Sequence, residues 1–128
     1  MTAFSDYLEN ALLNHTLRNV SLTAPTTVYI GLHTTATNDD DSGTEVSGGS
    51  YARQSVTFGA PSGGSSSNSA LVTFPTATAS WGTVTHFGIY DAVSAGNLLY
   101  WGALTVSKTV DNGDIFTVPS SNLTVTLQ

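Results

Sequence analysis

The sequence predicts a mainly β fold, an antiparallel β-sandwich or jelly-roll-like barrel with one short N-terminal helix. Three observations lead there. After Pro25 the apolar residues alternate along short runs separated by Gly-, Ser- and Asp-rich turns, the period-two pattern of half-buried strands. No later segment has the periodicity and length of a helix that could cross between parallel strands. The chain also owes its solubility to hydroxyls rather than charge. It has 20 Thr and 16 Ser among 128 residues, while Asp, Glu, Lys and Arg make up 9%, against about 25% in an ordinary soluble domain.

The length suits one domain, residues 1–128, with the helix at about 3–16 and the β region at about 26–128. From Phe4 to His15, the side chains of Phe4, Leu8, Ala11, Leu12 and His15 recur at helical spacing and share one face. Ser5 is the expected N-cap, with Asp6 in the first turn where the helix dipole favours it, and Thr2 is the competing cap. This helix covers an open edge of the sheet or docks on a neighbouring subunit.

Strands follow in order. Thr27 to His33 places Val28, Ile30 and Leu32 on one face, and Tyr29, Gly31 and His33 on the other. A polar loop spans 34–52, Arg53 to Phe58 forms a short strand, and 59–69 is a second Gly/Ser loop. Ala70 to Phe74, Thr83 to Tyr90, Asn97 to Val106, Ile115 to Val118 and Leu123 to Leu127 complete the set. Asp91 to Gly96 reads as a turn. Asp111-Asn112-Gly113-Asp114 reads as a type I′ hairpin, because Asn-Gly accepts the positive φ angles that turn requires.

Composition excludes several function classes. Three Lys and Arg against nine Asp and Glu give a net charge of −6, the wrong sign for neutralising phosphates, so no nucleic acid is expected as a partner. Attraction to an anionic membrane surface is excluded on the same ground, and no apolar run approaches the ~20 residues of a membrane span. With no Cys, disulfides and thiolate metal sites are out of reach. Asp6 and Glu9 stand where a secretory signal would carry neither, so synthesis and assembly in the cytoplasm are expected. A hydroxyl-rich, Lys-poor surface nevertheless suits work outside cells. A virion assembled in the cytoplasm and freed by lysis reconciles the two.

The search for chemistry finds no nucleophile elbow, phosphate loop, dinucleotide fingerprint or zinc-helix motif. His15, His33 and His86 lie on three separate elements, unlike the close pairs of zinc sites. Asn38, Asp40, Ser42 and Gly43 fit the start of a calcium loop, but the twelfth place falls on Gly49, where a bidentate Glu is required. Asp91, Asp111 and Asp114 fall in turns, where Asp is expected for backbone reasons. Trp81, Trp101, Tyr90 and Tyr100 could form a sugar-stacking platform, with Tyr90 and Tyr100 facing each other across a hairpin. No catalytic, cofactor or metal residue is assigned, and no enzyme activity or cofactor is expected.

Several stretches together resemble a set of small tailed-bacteriophage proteins usually labelled phage tail fibre protein. They are Phe4-Ser5-Asp6-Tyr7-Leu8-Glu9-Asn10, Thr26-Thr27-Val28-Tyr29-Ile30-Gly31-Leu32 and Gly48-Gly49-Ser50-Tyr51-Ala52-Arg53-Gln54. Val72-Thr73-Phe74-Pro75, Trp81-Gly82-Thr83-Val84-Thr85-His86-Phe87-Gly88-Ile89 and Gly96-Asn97-Leu98-Leu99-Tyr100 complete the likeness across nearly the whole chain. The resemblance implies a non-enzymatic structural protein of the virion. Small size, acidity and low charge favour a capsid decoration (cement) protein that locks the shell through contacts between subunits, with the major capsid protein as partner. The alternative is a small tail or tail-fibre component touching tail proteins and host-surface glycans. A homo-oligomer is expected, a trimer among the candidates. Thr2 to Leu17 and loop 34–52 are the expected contacts with neighbours, and the loop is expected to be removable without unfolding the domain.

Overall fold

The computed structural model describes residues 2–127. Its main element is an open, antiparallel five-stranded sheet, ordered β1-β7-β6-β2-β3. The strands are β1 (Thr2–Phe4), β2 (Val28–His33), β3 (Gln54–Val56), β6 (Gly82–Tyr90) and β7 (Leu98–Val110). Two ribbons form the other layer: β4 (Ser65–Ser67) pairs with β9 (Thr124–Thr126), and β5 (Val72–Thr73) pairs with β8 (Thr117–Val118). The expected mainly β, sandwich-type architecture is the one observed. Because the large sheet ends at β1 and β3 rather than closing, the jelly-roll-like barrel gives way to the sandwich.

Strand alternation decides which face is the core. Ile30 pairs with Ile89, Leu32 with Phe87 and Val28 with Val56, so these six side chains lie on one face. Phe74, Phe116, Val72 and Leu123 meet them from the other layer, with Trp81, Val84 and Val110 also buried there. Ring edges fill the centre: Phe74 meets Phe116 at 5.6 Å and 89°, and Tyr51 meets Trp81 at 5.4 Å and 86°. These edge-to-face contacts are the arrangement the aromatic quadrupole favours.

β6 and β7 lose register twice, by one residue between Ile89↔Tyr100 and Tyr90↔Leu98, and more widely further along. Between Val84↔Lys108 and His86↔Ala103, two steps on β6 face five on β7. The surplus pushes the strand outward, leaving Val106 68% exposed, and allows even-numbered Val84 to share the core with Phe87 and Ile89. β7 runs past the expected end at Val106 because this bulge has no alternation to betray it.

The helix α1 spans Asp6–Leu17 and is capped by Ser5, whose side chain accepts from the Leu8 N–H. Ser5 Oγ also donates to the Leu98 carbonyl, so the cap is anchored to the sheet. The competing cap, Thr2, belongs instead to β1, where Thr2–Phe4 pairs with Tyr100–Gly102. Leu8 is the one buried residue of α1; Ala11 and Leu12 are half-buried, and His15 is exposed rather than on a covered face.

The Asp111–Asp114 turn is real but is not a type I′ hairpin. Gly113 has φ +93°, Asn112 is not left-handed, and the strand that follows pairs with β5 rather than β7. Gly113 N–H donates to Ala77 O and Asp114 N–H to Asp111 O, so the turn passes the chain from the large sheet to the other layer.

Candidate functional site

The second face of the large sheet carries a cluster of polar side chains that are buried or half-buried. Gly31 and Gly88 pair across β2 and β6 and form its floor. A Cβ on Gly31 would come to 3.0 Å of the Tyr90 ring, and one on Gly88 to 2.8 Å. The two glycines therefore let the Tyr90 ring lie across the sheet, where only 1% of the residue remains exposed. The Arg53 guanidinium sits over this ring, 3.5 Å from its centroid, a desolvated cation–π contact.

Arg53 is the hub. Its Nε and Nη2 donate to the two oxygens of Glu45, each at 2.8 Å, in a bidentate pair. Its Nη1 donates to the carbonyls of Ala92 and Ala95 at 3.1 and 2.8 Å, tying the β6–β7 turn to the same group. Tyr51 Oη donates to Glu45 Oε2 at 2.7 Å and accepts from Leu32 N–H at 2.9 Å. Leu32 lies beyond the last β2–β3 pair, so Tyr51 and Val46, whose N–H donates to Leu32 O, finish the strand's open edge. Burial pushes the Glu45 carboxyl up, but hydrogen bonds from Arg53 and Tyr51 outweigh it and hold the group below its ordinary range. Burial and the carboxylates beside them raise both the Tyr51 and the Tyr90 phenols, so both stay neutral.

Loop 34–52 is thus not a free clasp. Thr37 is fully buried and its Oγ1 donates to Phe87 O at 3.2 Å, while Val46 joins the core. Asp39 O accepts from Asp6 N–H at 2.9 Å, and Asp39 Oδ1 from Trp101 Nε1–H at 2.7 Å, so the loop also holds the start of α1. Asn38 and Asp41 take φ of +63° and +59°, the left-handed conformation that short amide and carboxylate side chains tolerate. The acidic run is spent on this geometry. Asp40 Oδ1 accepts from Ser42 N–H, and Asn38 donates to Ser42 Oγ, an internally bonded turn in place of a calcium loop.

The other sequence candidates separate. His33 and His86 are cross-strand neighbours, and His15 lies on α1. Among the described residues no group of three or more His, Asp or Glu side chains is placed to hold a metal ion. Asp91 accepts from Asn97 at both carboxylate oxygens, and Asp114 accepts from Asp111 N–H, so these carboxylates brace turns. The aromatic platform does not form. Trp81 is in the core, and Tyr90 pairs with Leu98 while Tyr100 pairs with Ile89, which puts the two tyrosines on opposite faces.

Sequence reasoning missed two features. An apolar groove of about 420 Å³ opens between the layers, lined by Val28, Ile89 and Tyr100 from the sheet and Phe58, Val125 and Leu127 opposite. The second is the buried polar cluster itself. Its members stand in the very motifs quoted above: Gly31, Tyr51, Arg53 and Gly88, with Tyr90 immediately after.

What the geometry defines first is a class: an antiparallel β-sandwich braced by a buried polar cluster, with a helical arm attached by its N-terminal turn. Residues 3–126 match the model of a family described as podophage GP4 fiber I protein gp80, and the chain belongs to that family. It is a phage tail-fibre-like virion protein, as its motifs implied. No curated protein matches it. Among the described residues no helix is long and apolar enough to cross a membrane.

Proposed function

We propose that the protein is a non-enzymatic structural subunit of a phage tail fibre, assembled in the host cytoplasm, which works through contacts with other virion proteins and with further copies of itself. The family match over residues 3–126 carries this reading, and it favours the fibre over the shell-decorating role that size and acidity had suggested. No bond-making step is needed. Assembly adds buried area at each repeated contact, and symmetry multiplies it.

The arm supports this. Leu13, Leu17 and Val20 are 55%, 76% and 46% exposed, and Leu8 is the one fully buried side chain of the 12-residue helix. A helix this short is marginal in water without packing. Copies at −6 each repel one another, which favours contact through uncharged surface, and the stretch from Leu13 to Leu17 supplies it. Light scattering on the purified protein and on Leu13→Ser/Leu17→Ser tests this. The parent should be oligomeric and the variant smaller at an unchanged urea midpoint; equal masses would remove the arm from the assembly. Antibody labelling of virions should mark the tail, and label spread over the shell would overturn the fibre reading.

A further inference from the structure

His33 occupies an unusual position in the cluster. It is fully buried, and its Nε2 lies 2.9 Å from Tyr90 Oη. Tyr90 Oη donates its single proton to Asp41 Oδ1, 2.7 Å away, since an ionised carboxylate can only accept. Nε2 must therefore carry the imidazole proton and donate it to Tyr90 Oη. That tautomer leaves Nδ1 bare, and Nδ1 has no hydrogen-bond partner. A proton arriving there would make a buried cation with no acceptor for the new N–H.

The surrounding groups are divided. Asp41 and Glu45, from the loop, favour the imidazolium; Arg53, before β3, and His86, on β6, oppose it; Tyr90 and Tyr51 are neutral. Burial is the largest influence and holds His33 below its ordinary value of about 6.5. The same His33–Tyr90–Asp41 chain pins loop 34–45, which in turn clamps the first turn of α1 through Asp39 O and Asp6 N–H.

We propose that His33 is a pH-sensitive latch: its neutral ring keeps loop 34–45 seated on the sheet, and proton uptake unseats the loop together with its clamp on α1. The sign follows from linkage. The seated form binds the proton more weakly than the open form, so the latch is at full strength above about pH 6.5 and weakens as pH falls below it. At pH 5.5 an open-form His of ordinary pKa favours opening by at most about tenfold, the limit reached when the seated ring takes up no proton. Free carboxylates, near pH 4, are still ionised there.

Amide hydrogen exchange on the full chain at pH 7.5 and 5.5, corrected for intrinsic exchange rates, reads the latch directly. Protection over residues 34–45 should fall, by up to about tenfold, while β6 stays unchanged. His33→Gln, whose amide can still donate to Tyr90, should abolish the fall, and His15→Gln/His86→Gln should keep it. Equal protection at both pH values, or a fall that survives His33→Gln, overturns the proposal. Should His33→Gln not fold, the parent still decides by NMR: a His33 ring titrating at or above pH 6.5 overturns the latch, and one titrating clearly below it supports it.

Discussion

Replacing Arg53 with Met tests whether the polar cluster holds the domain together. Arg53 is 9% exposed, while a quarter of the Glu45 side chain remains accessible. Removing one partner of a buried pair costs about 3–5 kcal/mol, because the other charge is left uncompensated. Water reaching Glu45 trims that figure, whereas the lost contact with the Tyr90 ring adds about 1 kcal/mol. The Met side chain restores part of the apolar packing, so the expected loss is about 3 kcal/mol. Against a total stability of roughly 5–15 kcal/mol this is a large share. Urea unfolding should show it as a midpoint lower by about 1.5 M at a slope near 2 kcal/mol/M. Glu45→Gln/Arg53→Met should lose less than the two single changes added together, because neither charge is then left alone. A loss below about 1 kcal/mol for Arg53→Met, the range of exposed ion pairs, would refute the reasoning.

Two further outcomes follow from the same contacts. Ser5→Ala removes both the α1 cap and the donor to Leu98 O; it should cost about 2 kcal/mol and raise hydrogen exchange over residues 8–12, and an unchanged helix would contradict the anchoring role. Deleting residues 34–52 removes Thr37, Glu45, Val46 and Tyr51 and leaves Arg53 unpaired, so the product should show no cooperative urea transition. A folded, cooperative product would restore the view of this loop as a detachable clasp.

What was legible in the sequence tracks where one face of a strand meets an apolar layer and the other does not. β2 alternates cleanly and β6 does so from His86 onward, so their limits at Val28–His33 and Gly82–Tyr90 fall within a residue of expectation. Ser5 was legible as a cap because few residues can accept from a free N–H at a helix start. β4 was not legible, since Ser65–Ser67 has no apolar residue. It forms because Ser65 and Ser67 share hydroxyl bonds with Thr126 and Thr124 across the ribbon. β1 is three residues running straight into a helix, too short to show a period.

The cluster was hidden for a different reason. Glu45, Arg53 and Tyr90 are distant in sequence, and each taken alone resembles a loop or strand residue. The pairing of β2 with β3 and β6, together with the His33–Glu45 bridge, brings them together over Gly31 and Gly88. Two glycines at matching positions of adjacent strands were the available sign that something flat lies across both.

The most direct test of the fibre assignment is the copy number of this chain in purified virions, by quantitative mass spectrometry against the major capsid protein. A tail-fibre subunit predicts a ratio of a few per cent or less. A ratio near that of the capsid subunit would contradict the fibre assignment and return the protein to the shell.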